Sequence, residues 1–155
     1  MLNVGDAAPG FDLPDAGMEM VRLADLRGKH NVVLYFYPTN DTPAAILEAI
    51  NFGDLEAAFM RYQTVVYGIS RDDFICHAAF RDKHGLTVQL LSDDDGQVCR
   101  SYDVLEEREK NGMKKLCVRR CTIVIDREGI VRHIIRNINP KVHARDVLNL
   151  MKEIN

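Results

Sequence analysis

A chain of 155 residues is long enough to bury a core without disulfides or a structural metal, and 46% apolar with 28% charged residues is the balance of an ordinary globule. The formal charge of −3, with no basic run beyond Lys114-Lys115 and Arg119-Arg120, argues against nucleic acid as a partner. No stretch approaches the length of a membrane span and the first residues, Met1 to Pro9, carry no basic and apolar leader pattern, so the expectation is a cytoplasmic protein with residues 1–155 as one domain and no membrane partner. Cys76, Cys99, Cys117 and Cys121 include no C-x-x-C pair and are too sparse for a disulfide framework. His77, His84, His133 and His143 show no metal-ligand spacing and are expected at the surface or in turns.

In chain order, residues 3–14 read as an irregular, proline-punctuated segment, Met18–Leu23 as a short edge strand and Leu23–Gly28 as a single turn. Asn31–Phe36 is a short apolar run rich in β-branched and aromatic residues, which suits a strand buried on both faces. Pro38, Asn40, Asp41, Thr42 and Pro43 must turn the chain. Thr42 before Pro43 is an N-cap with proline at the first helical position, so one helix is expected from near Pro43 to about Tyr62. Its apolar stripe reads as Leu47, Ile50, Leu55, Ala58, Phe59 and Tyr62, leaving Glu48, Asp54, Glu56 and Arg61 for the wet side.

Thr64–Ser70 gives a second buried strand, and a helix capped around Ser70–Asp73 runs to about His84 before Gly85. A short strand at Leu90 ends in the acidic turn Ser92–Gly96, followed by a short helix over Gln97–Tyr102. Glu106–Lys115 is charged and contains glycine, and is expected as an exposed loop. Cys121–Asp126 and Ile130–Arg136 flank a turn ending in Gly129, the pattern of a hairpin, and a last helix from about Lys141 places Val147, Leu148, Met151 and Ile154 on one side. The order β-β-α-β-α-β-β-α predicts an α/β fold, a mixed central sheet with helices on both faces. It sets the N-terminus of the Pro43 helix at the carboxyl end of a central strand, where ligands bind in open sheets and where free N–H groups attract anions.

Pro38-x-x-x-Thr42-x-x-Ala45 has the spacing of the peroxiredoxin active-site signature, and Asp41-Thr42-Pro43 with Glu48-Ala49 resembles the bacterioferritin-comigratory, or Q-type, branch of the AhpC/TSA family. Further matching segments follow in order, Gly68–Asp72, Leu91–Cys99 and Arg120-x-Thr122-x-x-Ile125-Asp126, so the resemblance extends from about residue 3 to residue 153. It implies a thioredoxin-like fold with an N-terminal extension, no cofactor, a peroxide substrate, and regeneration by thioredoxin or another thiol, as a monomer or a dimer. The position matching the peroxidatic cysteine is Ala45, preceded by Ala44 where the branch usually has glycine.

A thiol of pKa near 8.5 is only about 3% ionised at neutral pH, so such a site must favour the anion. The resemblance assigns that task to the helix N-terminus at Pro43–Ile46 and to Arg120, with Glu48 orienting the guanidinium, Thr42 directing a hydroxyl at the peroxide and Pro38 shielding the pocket. Read without it, Thr42 is an N-cap, Glu48 a first-turn acid and Arg120 a surface residue. The usual resolving positions match Ile50 and Arg81, so the resemblance implies a one-cysteine cycle with an external thiol as resolver, and a disulfide to Cys76 as the second possibility. With alanine at position 45 the chain is expected to be inactive there. Either it is a Cys→Ala form of a working peroxidase, or it is a natural, catalytically silent protein with a binding or chaperone-like role.

Overall fold

The computed structural model describes residues 1–154. The chain runs β1 (Asp12–Pro14), β2 (Met20–Arg22), α1 (Leu23–Leu26), β3 (Asn31–Phe36), α2 (Pro43–Asp54), α3 (Glu56–Arg61), β4 (Thr64–Ser70) and α4 (Phe74–His84). It continues through β5 (Gln89–Ser92), α5 (Gln97–Ser101), β6 (Leu105–Lys110), β7 (Met113–Val118), β8 (Cys121–Ile125), β9 (Val131–Ile135) and α6 (His143–Ile154). The central sheet has the order β5-β4-β3-β8-β9, with β3, β4 and β5 parallel and β8 and β9 antiparallel, while β1–β2 and β6–β7 form separate two-stranded ribbons.

Side-chain alternation along β3, whose residues are all buried, divides the core. Val32, Leu34 and Phe36 enter one cluster with Phe11, Leu13, Leu23, Cys99 and Tyr102. Val33 and Tyr35 enter the other with Ala45, Phe52, Phe59, Phe80 and Val147. Helices α2, α3, α4 and α6 thus contribute to one face, α1 and α5 to the other, and the expected mixed sheet flanked by helices is found.

Four local expectations are corrected. The single helix after β3 breaks at Leu55, whose N–H donates to Phe52 O at 3.2 Å, just past Gly53, a poor helix former. Its buried stripe is Ala45, Glu48, Ala49 and Phe52, with Ile50 40% exposed; small alanines carry the inner face, so a count of bulky residues points to the wrong side. Residues 106–115 form most of the β6–β7 hairpin, closed by Asn111 and Gly112 at φ 54° and 76°, the paired positive values of a type I′ turn. Finally, His77 and His143 are buried, each held by polar partners inside the fold.

Candidate functional site

β3 delivers the chain through buried Tyr37 into the turn 38–42, which is fixed chiefly through Asn40 and Asp72. The Asn40 backbone N–H donates to Asp72 Oδ2 at 2.9 Å, and its side-chain oxygen accepts from the Tyr37 hydroxyl at 2.6 Å. Thr39 Oγ1 donates to Asp72 Oδ1 at 3.1 Å, and Ser70 Oγ to Oδ2 at 2.7 Å. His77 donates Nε2–H to the Leu91 carbonyl at 3.0 Å, which leaves Nδ1 to accept from the Asn40 amide at 3.0 Å. Burial lowers the His77 pKa and keeps the ring neutral, consistent with this tautomer. Asp41, at φ 63°, accepts from Lys83 Nζ at 2.6 Å and His84 Nε2 at 2.8 Å, tying the turn to the end of α4. A short polar side chain tolerates that left-handed backbone.

Thr42 then starts α2. Its Oγ1 accepts from the Ala45 N–H at 3.1 Å and its carbonyl from the Ile46 N–H at 2.9 Å. Ala45 is 2% exposed, and Glu48, three residues on and therefore on the same helical face, is equally buried. Glu48 Oε2 accepts from Arg120 Nη1 at 3.0 Å, whereas Oε1 has no hydrogen-bond partner among the described residues. Burial pushes the Glu48 pKa up to about 7, against the opposing pull of Arg120. The sheet explains the meeting. β8 is antiparallel to β3, with Cys121 opposite Phe36, so Arg120 arrives beside the first turns of α2.

Pro38 and Arg120 also line an open cleft of about 370 Å³, with Glu106, Arg108, Val118, Arg119, Cys121 and Arg136. The structure therefore brings Glu48 and Arg120 into contact, sets Pro38 beside Arg120, and uses Thr42 as the cap of the turn that bears Ala45. Cys76 stands apart in exposure and chemistry: it lies on the outside of α4, and the Asp73 carboxylate that caps its N–H at 2.8 Å also raises its thiol pKa. All four cysteines are free.

Sequence reasoning missed Asn40 and His77 as anchors of the turn, and Arg119, Arg136 and Cys121 as cleft residues. Asp72 lay in a recognised segment but was read only as part of a helix cap. Among the described residues, no group of three or more His, Cys, Asp or Glu side chains is placed to hold a metal ion, and no helix is long and apolar enough to cross a membrane.

A model of the AhpC/TSA family matches residues 4–134. Peroxiredoxin Bcp of Escherichia coli strain K12 is 35% identical over 152 residues, spanning 98% of this chain and 97% of that protein. Peroxiredoxin Bcp of Bacillus subtilis strain 168 is 33% identical over 153 residues, spanning 99% and 97%. Among solved structures, the bacterioferritin comigratory protein of Xanthomonas campestris, described for its alkyl peroxide reduction activity, superposes with a TM-score of 0.89 at 31% identity over 99% of this chain and 97% of that one.

Proposed function

We propose, because this chain belongs to the AhpC/TSA family and within it to the Bcp-type peroxiredoxins, that the junction of β3 and α2 is a peroxide-reducing site whose sulfur position is residue 45. The observation that carries the reading is the 3.0 Å bond from Arg120 to Glu48, which holds a guanidinium against the face of α2 that bears Ala45.

The chemistry needs a thiolate at that position. It attacks one oxygen of the peroxide; the S–O bond forms as the O–O bond breaks, and the other oxygen leaves as hydroxide or alkoxide and takes up a proton. The resulting sulfenic acid condenses with one thiol, releasing water and leaving a disulfide that a second thiol reduces. Arg120 and the N-terminus of α2 stabilise the sulfur anion and the developing negative charge on oxygen. Glu48 positions Arg120, Thr42 offers its hydroxyl proton to the peroxide, and Pro38 shields the attacked oxygen from water. Thioredoxin or another thiol serves as reductant, and because the usual resolving positions hold Ile50 and Arg81 rather than cysteine, an external thiol resolves the sulfenic acid. The same reading puts the protein in the cytosol, where such thiols are kept reduced.

With alanine at position 45 this chain is the inactive Cys→Ala form of such a site. Installing the sulfur tests it. Ala45→Cys is expected to confer peroxide-dependent thiol consumption with hydrogen peroxide and alkyl hydroperoxides, and Arg120→Ala in that background to remove most of it. No turnover by a folded Ala45→Cys protein across several thiol donors overturns the reading. One observation favours the second reading, a naturally silent binding or chaperone-like protein: Ala45 is itself a member of the buried cluster around Tyr35 and Phe52. That reading expects no turnover from Ala45→Cys and a partner affinity indifferent to Arg120→Ala.

A further inference from the structure

The charge around the cleft beside Pro38 is not balanced. Four arginines, Arg108, Arg119, Arg120 and Arg136, line it against a single glutamate, Glu106, in a chain whose formal charge is −3. Glu106 is already engaged, accepting from Arg108 Nε at 2.6 Å and lying 3.8 Å from Arg119 Nε. Arg119 is braced by donating Nη2–H to the Asp103 carbonyl at 2.7 Å, yet its Nε is buried without a hydrogen-bond acceptor among the described residues. Among the described residues Arg136 makes no ion pair or side-chain hydrogen bond at all. Glu48, whose carboxyl is pushed up to about 7, neutralises Arg120 only in part at neutral pH.

Guanidinium groups gathered on one cleft repel one another, and an orphaned buried N–H carries a desolvation cost. An anion in the cleft relieves both. The planar fork of arginine matches a carboxylate in two parallel hydrogen bonds, and Pro38, exposed at the rim of the cleft, offers apolar surface for the carbon chain behind it.

We propose that this cleft binds the carboxylate of a small organic molecule and holds it next to the peroxide site. The proposal rests on the peroxidase reading for its meaning, and two sources share the chemistry: an organic hydroperoxide that carries a carboxylate, and a carboxylate-bearing low-molecular-weight thiol acting as reductant. Because Ala45 prevents turnover, the chain as it stands can be titrated at equilibrium with either.

The experiment is calorimetric titration at low and at physiological salt with three probes: a hydroperoxide bearing a terminal carboxylate, its methyl ester, and glutathione. The acid, glutathione or both are expected to bind, at least about tenfold more tightly than the ester, and to weaken as salt screens the charges. Which of the two binds identifies the source. Arg136→Ala is expected to weaken binding about five- to tenfold, Arg136→Lys to restore part of the loss, and Arg132→Ala, an arginine paired with Asp126 away from the cleft, to change nothing. Equal binding of acid and ester overturns the proposal. So does the absence of binding by both acid and glutathione, or an Arg136→Ala protein of unchanged thermal stability that binds as before. None of these results depends on Ala45→Cys turnover, so failure of the cleft and failure of the peroxidase site are separately visible.

Discussion

Gly68 stands opposite Tyr35 in the parallel ladder of β3 and β4, and a Cβ built on it would lie 2.5 Å from Tyr35 Cζ and 2.6 Å from the hydroxyl oxygen. The ring has little room to withdraw, since it is stacked on Phe52 at 4.6 Å between centroids and flanked by Tyr37 at 5.6 Å. Gly68→Ala is therefore expected to destabilise the fold by about 1–3 kcal/mol in urea denaturation, the cost of overpacking a filled core. Tyr35→Phe has the opposite expectation. The Tyr35 hydroxyl is buried with no hydrogen-bond partner among the described residues, so its removal should be neutral or stabilising by up to about 1 kcal/mol, and a clear loss of stability would contradict that orphan status. Neither effect was legible in the sequence, where Gly68 is one letter in a strand. Glu48 was legible as a partner for Arg120 but not in place. Its charge assigned it to solvent, whereas in the fold it is buried on the core side of α2 because Arg120 reaches it across the sheet.

At the scale of elements, the long regular segments were readable because each carries its own local chemistry: the apolar run of β3, the Thr42-Pro43 start of α2, and Gly85 closing α4 at φ 61° with its N–H on the Arg81 carbonyl. The β6–β7 ribbon shows the limit. Its residues are mostly exposed and charged, so no apolar alternation marks it as strand, and the available signal was the Asn111-Gly112 pair alone. A two-stranded ribbon that joins no larger sheet is marginal by itself, so its backbone hydrogen bonds should open far more often than those of β3. Gly112→Val, placing a β-branched residue at φ 76°, is expected to abolish amide-exchange protection across residues 105–118 while moving the thermal midpoint by less than about 2 °C. A drop as large as that of Gly68→Ala would mean that the ribbon is part of the cooperative core.

Over the whole molecule, the features that were not legible are those that join distant residues. Of Arg108, Arg119, Arg120 and Arg136 only the middle two are adjacent in sequence, yet the ribbon, the link into β8 and the end of β9 carry all four to one cleft. Two buried titratable groups are brought into the core in the same way, and they pull the pH dependence of stability in opposite directions. Glu48 has its pKa raised from 4.5 to about 7 by burial, so the folded chain holds that proton more tightly than the unfolded one. Its contribution is complete below about pH 4.5 and is lost as pH rises through 7. His143, packed under Thr122 with Oγ1 and Nε2 2.7 Å apart, has its pKa lowered by burial from 6.5 to about 4. Its contribution is complete above about pH 6.5 and is lost as pH falls through 4. At about 1.4 kcal/mol per pKa unit each slope has a ceiling of roughly 3.5 kcal/mol, and between pH 4.5 and 6.5 the two oppose each other. Subtracting the parent's profile isolates each group. Relative to the parent, the stability of Glu48→Gln should rise as pH is raised from 4.5 to 7.5, because the variant lacks a group that fails on that side. That of His143→Gln, which retains a polar partner for Thr122, should fall with rising pH across the same range. Urea denaturation at pH 4.5, 5.5, 6.5 and 7.5 measures both, and difference profiles that are flat, or that slope alike, would show that these side chains do not reside in the folded interior with the charge states their surroundings impose.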